Sequence, residues 1–210
     1  RNQFEQAYKN RYTWDPGFSG YKGCCSFTDT KNKVIEGSFS IGKDLEVTLD
    51  GIEDQETNKK IKSQLWEVAI HRVRRSFDEV HGENTFTVGN YDDVGMEVII
   101  GGKNKGDRYR IKNNIVTMVY RNIHGSLISI FTQEVIKTGQ GYISKKYTSE
   151  YLDPVSGKSL RPIQNFEDEF IPLSEDGPWV LFSRKIQVND DNNNQIKKNI
   201  FRFFDLKTVD

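Results

Sequence analysis

Cysteine is scarce in this sequence, the formal net charge is zero, and no apolar run approaches the length needed to cross a bilayer. Each shortage excludes something. Two cysteines occur in 210 residues, Cys24 and Cys25. Neighbours on a strand point to opposite faces, so a bond between them is strained and no disulfide framework exists. Free thiols suit a reducing compartment, and Cys25, which shares a strand face with Tyr21 and Phe27, reads as a small core residue. Thirty basic residues balance thirty acidic ones, whereas a protein that grips duplex nucleic acid shows a basic excess. A spanning helix needs about 20 apolar residues, and the chain is expected not to span a membrane. Arg1 rather than Met opens it, which is compatible with a targeting segment removed ahead of it.

Reactive constellations are also missing. The three histidines, His71, His81 and His124, lack metal-ligand spacing, so neither a metal nor a cofactor is expected. The acidic run Glu167, Asp168 and Glu169 is split across two strand faces by alternation and reads as surface solubility, not as paired acid and base carboxylates. The stretch GGKNKGDRYR (101–110) lacks the Gly-Lys-Ser/Thr order of a phosphate loop and joins two strands, so it reads as a hairpin with a basic edge. No serine or cysteine stands in a nucleophile context, and no catalytic residue is assigned.

Aromatic residues, in contrast, are plentiful: 13 Phe, 9 Tyr and 3 Trp, within an apolar fraction of 35%. That combination suits strands with one wet face, in a single β-rich domain over 1–210. The opening predicts a short helix over 3–10, broken by Asp15, Pro16 and Gly17. Period-two alternation then predicts three strands, with Tyr21, Cys25 and Phe27, then Ile35, Phe39 and Ile41, then Leu45, Val47 and Leu49 on their apolar faces.

Over 54–77 the period becomes helical. Ile61, Leu65, Ala69, Val73 and Phe77 recur every three or four residues, and Trp66 and Ile70 widen the stripe. Asp54 caps the start and Gly82 follows the end. Lys59, Lys60 and Lys62 occupy the polar face, and Arg72, Arg74 and Arg75 crowd the last turn as the helix dipole favours. The three arginines form a candidate docking patch for phosphates, anionic lipid or an acidic partner, beside the plainer reading of a solvated helix end.

Beyond this helix, strands are predicted over 85–88, 96–100, 109–111, 115–123, 127–136, 142–151, 166–171, 179–188 and 196–206. Glycine and asparagine turns punctuate them, with the polar DDNNN at 190–194 before the last. The fold class is therefore mainly β (α+β): a strongly curved antiparallel sheet or half-open barrel meander, one long helix at about 54–77 and a short N-terminal helix. The later strands carry bulky groups on both faces, and one helix covers one face. The other face closes on its own side chains, encloses a ligand or meets a partner. Its candidate residues are Val116, Met118, Tyr120, Ile128, Ile130, Phe201 and Phe203.

The string AYKNRYTWDPGFSGY (7–21) resembles the opening of an uncharacterised domain family of cyanobacteria and plastid-bearing eukaryotes. The likeness continues through LEVTLDGIED (45–54), HRVRRSFDEVHGENTF (71–86), YRIKNNIV (109–116) and TGQGYISKKY (138–147). The resemblance implies a setting, a plastid or the cyanobacterial cytoplasm close to thylakoids, and brings no catalytic residue with it. In order of elements the chain is also similar to lipoprotein-carrier half-barrels, which implies an apolar cavity. The leading expectation is a non-enzymatic accessory or assembly subunit that docks on protein subunits of a photosynthetic membrane complex. The alternative is a carrier of lipid or pigment in a β-barrel cavity.

Overall fold

The computed structural model describes residues 1–123, 125–190 and 195–209; His124 and residues 191–194 of the expected DDNNN turn lie outside them. Helix α1 (Asn2–Lys9) precedes three strands, β1 (Gly20–Thr28), β2 (Val34–Gly42) and β3 (Val47–Asp50). Helices α2 (Gln55–Ile70) and α3 (Phe77–His81) follow. The remaining strands are β4 (Asn84–Asp92), β5 (Gly95–Gly102), β6 (Arg108–Lys112), β7 (Ile115–Ile123), β8 (Ser126–Lys137), β9 (Tyr142–Leu152), β10 (Gln164–Pro172), β11 (Trp179–Asp190) and β12 (Gln195–Thr208). The 12 strands make one antiparallel sheet in the order β3-β2-β1-β12-β11-β10-β9-β8-β7-β6-β5-β4, with β3 and β4 as its ends, so it is not closed into a barrel. Every predicted strand is present, and the fold is mainly β. The pattern did not reveal that β1 returns to pair with β12.

The long helix predicted over 54–77 is two helices. Asp54 caps α2 by accepting from the Thr57 amide at 2.8 Å, and the helix stops at Ile70, before any of the three arginines. Ser76 then starts α3 with a capping box: its hydroxyl accepts from the Glu79 amide at 3.2 Å while the Glu79 carboxylate accepts from the Ser76 amide at 2.6 Å. This reciprocal pair satisfies donors that a continuing helix would have bonded itself. Phe77 and Val80 thus belong to α3, and Arg72, Arg74 and Arg75 stand between helices rather than in a last turn.

Backbone contacts divide the chain into two compact units. The first comprises 1–12, 75–166 and 188–195. Its core packs Phe4, Ala7 and Tyr8 of α1 and Phe77 of α3 with Met96, Val98, Ile100, Tyr109, Ile111 and Val116 of β5 to β7. The aromatic rings meet edge-on or tilted, Phe4 to Phe77 at 5.5 Å and Phe4 to Tyr109 at 4.6 Å between centroids, as their quadrupoles favour.

The second unit comprises 13–74, 167–187 and 196–210. Register places Cys25 opposite Phe203 and Phe27 opposite Phe201, so these four share one sheet face, with Phe27 stacked on Phe201 at 4.9 Å. Gly37 pairs with Cys25 on the same face, and a Cβ there would meet Ile52 at 2.7 Å, so glycine is what lets Ile52 sit against the sheet. α2 buries Ile61, Leu65, Val68 and Ala69. Within this unit lies a charge pair that the sequence reading placed on the surface. Asp168 lies on β10 between the buried Phe166 and Phe170, and its carboxylate accepts two bonds from Arg184 of β11, at 2.8 and 2.7 Å. Arg184 is 2% exposed and also donates to Gln64 at 2.9 Å and Glu67 at 3.2 Å, both on α2.

Removing one partner of a buried bidentate pair leaves the other charge desolvated and alone. Arg184→Met should therefore cost about 3–5 kcal/mol, whereas combining it with Asp168→Leu should recover much of that loss. Urea unfolding of the two single variants and the double variant measures this, and strictly additive losses would contradict the coupling.

Candidate functional site

A groove of about 860 Å³ opens beside α2 in the second unit. One wall is a single face of that helix, with Gln55, Lys59, Lys62 and Trp66 set at helical spacing and Asn58 and Ser63 at its margins. The other wall is the turn into β3, Asp44 to Val47, and Glu53 joins the lining. Trp66, expected to widen the buried stripe, is 49% exposed and lines the groove instead. The apolar part of the lining is Leu45, Val47 and the indole. The rims carry opposite signs, lysines on the helix and carboxylates on the turn.

Leu45, predicted as a strand residue, lies ahead of β3 with φ +66°. A left-handed backbone costs an L side chain of this kind about 1–2 kcal/mol, and Asn or Gly is its usual occupant. The turn that imposes it is well bonded: the Leu45 amide donates to the Gly42 carbonyl at 3.0 Å, and the Glu46 amide to the Asp44 carboxylate at 3.0 Å. A strained leucine that points a half-buried apolar side chain at a groove is the kind of outlier that marks a working surface.

Three titratable groups buried elsewhere, His81, Cys25 and Tyr109, are packed within the structure. His81 is enclosed by Phe4, Tyr8 and Phe77, with ring centroids at 5.0, 5.4 and 5.1 Å, and the Asn84 side-chain amide lies 3.1 Å from its Nδ1. Burial, helped by the charges of Arg121 and Arg11 against that of Asp107, pulls its pKa down to about 4. Burial pushes the Cys25 thiol up to about 11, further from the nucleophilic thiolate. Tyr109 rises to about 12 for the same reason. Among the described residues no group of three or more His, Cys, Asp or Glu side chains could hold a metal ion.

The residues singled out from the sequence are dispersed. Arg72 lies over the Phe170 ring at 5.5 Å, and Arg74 donates to Thr13 at 3.2 Å and Asp15 at 3.1 Å. Arg75 is exposed, and its carbonyl accepts from the Tyr8 hydroxyl at 3.3 Å. Val116, Phe201 and Phe203 are buried within cores. The remaining four do not share a face. β7 and β8 pair Met118 with Phe131 and Tyr120 with Ser129, but Val119 with Ile130 and Arg121 with Ile128. Directly paired residues point the same way, so Met118 and Tyr120 look out on one side of the sheet and Ile128 and Ile130 on the other.

The family described as "Protein of unknown function (DUF3386)" matches residues 1–209. The chain belongs to this family. No curated protein and no solved structure matches it. The family carries no assigned chemistry, so the groove stands on its geometry. Its signal in the sequence is that Trp66 sits four and seven residues after Lys62 and Lys59, which groups it with the polar face rather than with Leu65.

Two outcomes follow from these environments. The neutral ring of His81 is kept in the fold and lost on unfolding, so between pH 6.5 and 4 the unfolded chain binds the extra proton and stability falls as pH falls. About 3 kcal/mol should disappear over that window, and His81→Gln should flatten the slope in denaturation curves taken at successive pH values. Leu45→Asn should leave stability unchanged or raise it by up to about 1 kcal/mol, measured by thermal unfolding, because the strain it relieves offsets the apolar contact it removes.

Proposed function

We propose that this protein is a non-enzymatic docking or assembly subunit that binds protein subunits of a photosynthetic membrane complex, close to thylakoids, through the groove beside α2. The observation that carries this reading is Trp66, half-exposed on the helix wall of a groove that also holds apolar Leu45 and Val47 between charged residues of both signs. An aromatic anchor ringed by polar groups is the arrangement from which protein interfaces draw most of their affinity. The photosynthetic setting comes from the family likeness of the strings beginning AYKNRYTW. A peripheral mode of attachment agrees with the helices, since no helix among the described residues is long and apolar enough to cross a membrane. The non-enzymatic part is supported by where the buried reactive side chains sit: Asp168 and Arg184 neutralise each other, and His81 and Cys25 are held in their neutral forms.

Carriage of a lipid or pigment in a barrel cavity draws less support. Val116, Phe201 and Phe203 are packed within cores, and the strand order does not close. Gradient fractionation of gently solubilised membranes from the source organism tests the docking reading. The protein should migrate with a large membrane complex, and Trp66→Ala should reduce that fraction. Recovery of the native protein solely as a free monomer would sink the proposal.

A further inference from the structure

The groove beside α2 meets the open end of the sheet at Val47, the first residue of β3, and this bears on what can fill it. β3 is the last strand in the order, with a strand neighbour, β2, on one side. The Gly42 amide donates to the Glu46 carbonyl at 3.2 Å, and the pairs Ser40 with Thr48 and Ser38 with Asp50 follow at the same phase. In an antiparallel ladder those pairs carry the bonds to β2. The backbone amides and carbonyls of Val47 and Leu49 are therefore directed at the open edge.

We infer that this edge receives an extended segment of a partner protein as an added strand, with its inward side chains clasped by α2; the inference rests on the docking reading and names the partner's chemistry. Length supports it. From Gln55 to Trp66 the helix wall rises about 16 Å at 1.5 Å per residue, and five extended residues span about 17 Å. Spacing supports it as well. Lys62 stands about 6 Å along the helix from Trp66, and alternate residues of a strand are about 6.7 Å apart. An apolar residue over Trp66 and Leu45, followed two positions later by Asp or Glu beneath Lys62 and Lys59, meets both features with one face of one strand. The carboxylates of Asp44, Glu46 and Glu53 on the facing rim oppose a uniformly anionic surface such as a charged bilayer, and this favours a peptide.

The probes are synthetic nine-residue Thr/Val peptides with a central Leu-Thr-Glu, its Leu-Thr-Lys counterpart, and a Leu-Thr-Glu version N-methylated at alternate backbone amides. Binding to the full chain is followed by tryptophan fluorescence and calorimetry. Leu-Thr-Glu should bind at least about tenfold more tightly than Leu-Thr-Lys, Trp66→Ala should weaken it by about tenfold, and Lys62→Glu should reverse the preference between the two. N-methylation should abolish binding, because an added strand is held by its backbone. Circular dichroism verifies that both variants keep the fold. The inference is overturned if no peptide binds, if the N-methylated peptide binds equally well, if Lys62→Glu leaves the preference unchanged, or if vesicles of phosphatidylglycerol and phosphatidylcholine bind through Trp66 in place of peptide. Continued migration of the Trp66→Ala and Lys62→Glu proteins with the membrane complex would then leave docking standing by another surface.

Discussion

The buried pair of Asp168 and Arg184 fixes the rotation of α2, and the groove depends on that rotation. A lone guanidinium in a protein interior is strongly disfavoured, so Arg184 must satisfy its donors. Asp168 takes one edge of the fork, while Gln64 and Glu67 take bonds from Nη1. Residues advance about 100° around a helix, so Gln64 and Glu67 lie on one flank of the stripe formed by Ile61, Leu65 and Val68. Lys59, Lys62 and Trp66 lie on the opposite flank. Anchoring the first flank to Arg184 and the stripe to the core leaves the lysines and the indole facing the edge strand. α2 thus has three working faces, apolar, ion-anchoring and groove-lining, where an ordinary amphipathic helix has two.

An exposed sheet edge invites unwanted pairing, and proteins blunt it with short strands and charge. β3 shows both devices, four residues long and flanked by Asp44, Glu46 and Glu53. The groove beside it nevertheless keeps apolar Leu45 and Val47 in its lining, and a strained leucine is kept where asparagine would relieve the backbone. Protection of this kind filters rather than blocks. It refuses self-pairing by an identical acidic edge, because like charges would face each other, while a strand of complementary pattern gains the backbone bonds and the indole together.

The first unit solves a different problem. Its inner sheet face is sealed where α1 and α3 lie on it, with Phe4, Tyr8 and Phe77 around His81. The histidine serves as a polar tip inside an aromatic cluster, and its neutral state is one condition for that packing. The opposite face carries Met118, Tyr120 and Phe131 among Arg108 and Arg110, a half-wet surface of the kind sheets commonly present to solvent.

Much of this architecture was legible in the residues. Period-two alternation located the first three strands, because alternation reports burial directly, and the glycine and asparagine turns delimited the later ones, β7 to the residue. What alternation cannot report is pairing, so the return of β1 to β12 and the opposed faces of Met118 and Ile130 had to come from register. The break after Ile70 was written in Ser76 and Glu79, a capping box concealed by the helical spacing that Val73 and Phe77 continue from Ala69. Asp168 was misread for a related reason: its acidic neighbours suggested a wet surface, yet alternation already set it on the face of Phe166 and Phe170, where a carboxylate demands a cation. Trp66 was hardest to place, because a tryptophan beside a buried leucine looks like core until the helix is rotated, and a distant arginine sets that rotation.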